Sequence, residues 1–198
     1  MNDMITIDTG TGIVTAPPKV EPLPLFNDTH PLLHTKMPEY DVSTLPNSVM
    51  NNLVNRLKLT MQMFNGVGLS ANQCGIGERV FVVGANEFSM VCINPQIVGK
   101  GNVITQMREG CLTYPGLYMN VPRYESVEVE FHDENGELKH LFLDGVTAHC
   151  FQHELDHMDG ITFTEKVGAA KLQIARERQQ KLIKKIKRNH KNESRKTK

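Results

Sequence analysis

Residues 151–160 read FQHELDHMDG, and the two histidines four apart within it limit what this chain can build more than any other stretch. Positions i and i+4 of a helix lie one above the other on the same face. His153 and His157 can therefore offer ring nitrogens to one metal ion. Glu154 falls about 100° further round, beside such an ion without having to bind it, where a carboxylate can take a proton from water. The same letters also occur on surface helices with scattered histidines, so a third ligand has to decide between the two readings.

Several candidates for that ligand can be weighed. The metzincin pattern needs a histidine six residues after the second one, and position 163 is Phe, although Gly160 fits. A gluzincin-type protease takes a downstream glutamate, and Glu177 lies at a workable distance. Its setting, ARERQQK, reads better as a solvated partner for Lys181 one turn on. His149 shares the face of His153 and His157, but the three span about 12 Å of helix, too far for bonds near 2.1 Å to one ion. It is expected to line the neighbouring cavity. Cysteine remains. Cys111 follows Glu109 and Gly110 and precedes a Pro-Gly turn, and Cys74 also sits in a Gly-rich loop. Cys92 falls in an apolar strand and Cys150 on the helix, off the histidine face. Four irregularly spaced cysteines in 198 residues make no disulfide scaffold, so thiols are expected.

Composition narrows the class. The length suits one ordinary domain, and a mean hydropathy of -0.33 describes a soluble globular chain. No apolar run approaches the roughly 20 residues that span a bilayer. The first residues have neither the pattern of a secretory signal nor that of a transit peptide, which predicts a cytoplasmic address and no membrane. The zero net charge divides unevenly: residues 165–198 carry 13 Lys and Arg against 3 acids, and the preceding residues carry 9 against 19.

The periodicities predict an α+β fold of short mixed or antiparallel strands around a central metal-binding helix, with a basic helix at the C-terminal end. Residues 1–22 read as an extended arm, 23–164 as the catalytic domain and 165–198 as the basic helix and tail. Val49, Leu53, Leu57, Met61 and Phe64 mark one helix, and strands are expected at 79–83, 89–93 and 126–131. Asn135-Gly136 turns the last of these into a hairpin. The opening motif lies on a helix from about Val146 to Gly160, and Leu172, Leu182 and Ile186 mark another over 165–189.

GVGLSANQ (66–73), EGCLT (109–113) and QHELDH (152–157), in that order, resemble the three signature motifs of peptide deformylase. The resemblance covers about residues 24–165. It implies that Cys111, His153 and His157 hold one divalent ion, with Fe2+ the metal expected in the cell and Zn2+, Ni2+ or Co2+ able to replace it. It implies Glu154 as general base and then acid. Gln73 would donate its side-chain amide to the oxyanion, together with the backbone N–H of Leu112. Val67, Gly68, Leu69, Gly110 and His149 would contact the substrate, and Glu109 would support the ligands, paired with Arg123 of the VPR element. The substrate implied is the N-formylmethionyl end of a nascent polypeptide, handled by a monomer.

Some residues depart from the family pattern. Ser70, Asn72 and Thr113 are small polar changes that spare Gln73. Tyr118 stands where many bacterial members carry a substrate-facing Arg, and His149 replaces an aliphatic residue, so peptide preference is open. The basic tail fits contact with ribosomal RNA, as in bacterial relatives, or a charged helix lying on the acidic body. Two other functions compete: an HExxH protease using Glu177, and a non-catalytic ribosome-associated binding protein.

Overall fold

A computed structural model describes residues 20–85 and 88–196. The arm expected over residues 1–22 therefore lies almost wholly outside the described residues. Helix α1 (Ser48–Met63) starts where the Asn47 side chain accepts from the Met50 N–H at 2.8 Å. Its buried stripe is Met50, Val54, Leu57 and Met61. Val49 and Phe64, expected on that stripe, are exposed. The true face lies about one residue further on, where the spacings of four, three and four align four side chains.

Seven strands follow in two sheets. Strands β1 (Gly68–Ser70), β2 (Val80–Ala85), β3 (Phe88–Lys100), β6 (Ser126–His132) and β7 (Leu138–Asp144) form an antiparallel sheet in the order β1-β2-β3-β6-β7. Strands β4 (Ile104–Gly110) and β5 (Tyr118–Tyr124) form a separate antiparallel ribbon. The sequence reading missed that ribbon. Its only periodic signal is the alternation Met119, Val121, Arg123, all buried, and Pro122 interrupts it.

The expected order of helix, strands, hairpin and central helix is present, with every strand pair antiparallel. β2 and β3 bury both faces. Phe81, Val83 and Cys92 meet helix α2 (Gly145–Met158) through Phe151, Leu155 and Met158, whereas Val80, Val82, Val91 and Ile93 meet α1. A strand buried on both faces reads as an unbroken apolar run, which explains RVFVV. α2 stops at Gly160 (φ 73°), where a Cβ would press on the Thr35 backbone. Helix α3 (Ala169–Lys196) fastens its first turns to the ribbon through Leu172 and Ala175. Leu182, Ile183 and Ile186 remain exposed.

Candidate functional site

The three motifs converge because the sheet, the ribbon and α2 meet edge to face. β1 and the short turn Ala71–Cys74 supply Gln73, the end of β4 supplies Cys111, and α2 supplies the histidines. One possible ligand atom from each of Cys111, His153 and His157 lies within 4.8 Å of the others. Cys111 Sγ stands 3.3 Å from His157 Nε2. Ligands of a tetrahedral ion sit roughly 3.4–3.8 Å apart, given bonds near 2.1 and 2.3 Å. The donor set therefore fits such an ion. Cys74, the other loop cysteine, is buried in the core beneath α1, and burial pushes its thiol up to about 12.

The surroundings pull the two histidines in opposite directions. Burial opposes a charged His153, but Cys111 and Glu109 outweigh it and raise its pKa well above the ordinary range. For His157, burial, His153 and Arg123 together lower the pKa, and the neutral imidazole is the ligating form. Glu109 is buried beneath them. Its Oε2 meets His153 Nδ1 at 2.8 Å, which leaves the other ring nitrogen of His153 to face Cys111. Arg123 grips both carboxylate oxygens of Glu109 and reaches Asp156 Oδ2 at 2.7 Å. Burial would raise the Glu109 pKa, but His149, His153 and Arg123 bring it well below the usual range. His149 Nε2 is only 2.7 Å from Glu109 Oε1 yet off the line of a hydrogen bond, and both its ring nitrogens are buried without a hydrogen-bond partner among the described residues.

Glu154 is 3% exposed, and burial raises its pKa against the pull of His153 and Ser70. Ser70 Oγ donates to Glu154 Oε2 at 2.6 Å, and the Asn72 amide donates to the His157 carbonyl at 2.6 Å. The sequence reading treated both as neutral departures; a polar residue facing into the core beside the first motif was the available signal. Gln73 is also fixed at both ends. Its Oε1 accepts from the Ser70 N–H at 2.9 Å, and its Nε2 points to Cys111 Sγ at 3.2 Å and Thr113 Oγ1 at 3.0 Å. Gly68 lies so close to α2 that a Cβ there would overlap the Glu154 carboxylate and stand 2.9 Å from Cys150 Sγ.

A cleft of about 880 Å³ opens over these groups. Val67, Gly68, Gln73, Gly110, Cys111, Leu112, His149, His153 and Glu154 line it, as does Tyr118. Leu69 does not, because its side chain is wholly buried in the α1 core. Glu177 is exposed on α3 and bonded to Gln173 at 3.5 Å, with no ion pair to Lys181 among the described residues.

A profile of the polypeptide deformylase family matches residues 22–173. The chain belongs to that family. A peptide deformylase of Aquifex aeolicus is 39% identical over 156 residues, 75% of this chain and 90% of the relative. One from Prochlorococcus marinus (strain NATL1A) is 38% identical over 123 residues, which cover 60% of this chain and only 61% of that protein. The crystal structure of a peptide deformylase from Synechococcus elongatus in complex with actinonin superposes with a TM-score of 0.75 at 32% identity, over 82% of this chain and 87% of that one. The fold is therefore that of the deformylases, and neither competing function gains support from these relatives.

Proposed function

We propose that this chain hydrolyses the formamide at the N-terminus of newly made formylmethionyl polypeptides, releasing formate. The observation that carries the proposal is the Cys-His-His cluster at the base of the cleft with a buried, Ser70-held Glu154 beside it. A divalent ion bound by Cys111, His153 and His157, one per chain and iron(II) in the cell, supplies Lewis-acid activation of water at neutral pH; Zn2+, Ni2+ and Co2+ are alternatives.

The remaining work falls to the chain's own side chains. Glu154 accepts a proton from the attacking water and returns it to the departing amine, so the C–N bond breaks while the water oxygen stays in formate. Its raised pKa suits that double duty. The Gln73 amide, held by Ser70 and Thr113, and the Leu112 N–H stabilise the oxyanion. Gly68 offers backbone groups to the peptide, and Val67, Gly110, Leu112 and His149 shape the cleft around the methionine. Glu109, Arg123 and Asp156 fix the ring of His153.

In this reading residues 23–164 form the catalytic unit of a cytoplasmic monomer, and 165–198 a basic helix and tail that contact ribosomal RNA through their basic residues. No helix among the described residues is long and apolar enough to cross a membrane. The deciding measurement is formate release from a formyl-Met peptide by anaerobically prepared protein loaded with each of the four metals. Release with at least one metal is expected; none with any would overturn the assignment. For the tail, co-sedimentation with ribosomes should fall steeply with salt, and deleting residues 188–198 should weaken it and flatten that dependence. Co-sedimentation indifferent to both would refute the contact.

A further inference from the structure

A second cavity, of about 540 Å³, opens between the β4–β5 ribbon and the first turns of α3. Its walls carry three cations, Arg108 from β4 and Lys171 and Arg178 from α3, and no acid. None of the three has an ion-pair partner among the described residues, whereas Arg176, on the same helix, pairs with Asp28 at 3.3 Å. Arg108 lies over the Tyr118 ring at 4.7 Å, which orients its guanidinium without neutralising it. Arg108, Gly116 and Tyr118 also wall the catalytic cleft, so the two spaces adjoin.

We propose that this basic groove is a subsite for acidic residues of the peptide substrate, downstream of its formylmethionine; the proposal rests on the deformylase reading above. Cations gathered around one hollow repel each other and gain by sharing an anion. Ile174 and Leu182 give the hollow apolar walls, which suit the stem of a Glu side chain. A surface that tracks nucleic acid would spread its cations along the exposed side of the helix; here they converge on a concavity continuous with the cleft. A chain leaving the cleft past Tyr118 passes Arg108 first and then the two cations of α3.

The test uses formyl-Met peptides carrying either Glu or Gln at the third, fourth or fifth residue, compared by kcat/KM in low and high salt. Glu at one of these positions should be favoured about threefold to fivefold in low salt, the scale of an exposed charge pair, and the preference should shrink as salt rises. The double variant K171A/R178A should bring the Glu-to-Gln ratio close to one; the ratio, not the rate, is the readout. Fluorescence polarisation of the labelled peptides gives the same comparison without turnover. Equal use and equal binding of Glu and Gln peptides by the unaltered protein would overturn the subsite, as would a ratio that survives the double variant. If no peptide yields formate, the deformylase reading fails, and the binding difference still decides the groove. Loss of ribosome co-sedimentation in the double variant with an unchanged ratio would assign the cations to RNA and overturn the proposal.

Discussion

Of the 14 residues of α2, nine are buried, and five of those are polar or charged: His149, Gln152, His153, Glu154 and His157. α3 runs for 28 residues and leaves Ile174, Leu182, Ile183 and Ile186 exposed. The two helices thus invert the usual arrangement in opposite directions. A buried polar group costs about 1–3 kcal/mol when unpaired, so α2 leans on the partners that other elements supply to Gln152, His153 and Glu154, while the ring nitrogens of His149 and Nδ1 of His157 have none among the described residues. Ser70 serves Glu154, Glu109 serves His153, and the backbone of Tyr124 exchanges two hydrogen bonds with the Gln152 amide. α3 needs few such partners because most of its length lies in water. Polarity inside α2 marks the wall of the cleft where the proposed chemistry would take place; apolarity outside α3 marks where little depends on packing.

The comparison can be broken most severely at Cys111. Cys111→Ala should abolish tight metal retention, whereas Glu177→Ala on α3 should leave it intact. Elemental analysis of the two purified variants checks both, and metal kept without Cys111 would refute the ligand assignment. Next in size is Glu154→Ala, which leaves every ligand in place. Turnover should fall by about 10²- to 10⁴-fold with metal content unchanged; near-normal formate release would remove Glu154 from the mechanism.

Arg123→Ala tests the support beneath α2. It takes the buried Glu109 carboxylate's guanidinium partner away, while Asp156 keeps Lys166 at 2.8 Å; a buried ion pair broken on one side costs about 3–5 kcal/mol, to be read as a loss of stability in urea unfolding. A loss below about 1 kcal/mol would mean the network is dispensable. Gln73→Leu should lower kcat by about 10²-fold with little change in KM, because the oxyanion exists only beyond the ground state. The smallest effect belongs to α3. Replacing Ile183 and Ile186 with Lys should change stability by no more than about 0.5 kcal/mol, as at other exposed sites; a larger loss would show that this end of the helix packs against something.

The histidine spacing was legible because a helix converts sequence distance into spatial distance without help from the rest of the chain. The antiparallel hairpin at Asn135-Gly136 was legible for the same local reason. What escaped depended on partners far away in sequence. The β4–β5 ribbon, which delivers Cys111 and Arg123, carries only a weak alternation, since one of its faces is open. Ser70 and Asn72 look like small surface residues until Glu154 and the His157 carbonyl come into contact with them. On α1, both Val49–Leu53 and Met50–Val54 make plausible stripes, and only the sheet beneath selects the second.

The bare backbone at Gly68 has a practical consequence. β1 and α2 approach so closely there that not even a methyl group fits: a Cβ at residue 68 would fall on the Glu154 carboxylate and stand 2.9 Å from Cys150 Sγ. Gly68→Ala would therefore push the Glu154 carboxylate aside while leaving the side chains of Cys111, His153 and His157 as they are. Such a protein, folded and metal-loaded with Glu154 held out of place, is the control that distinguishes turnover in the cleft from formate released by loosely held metal in solution.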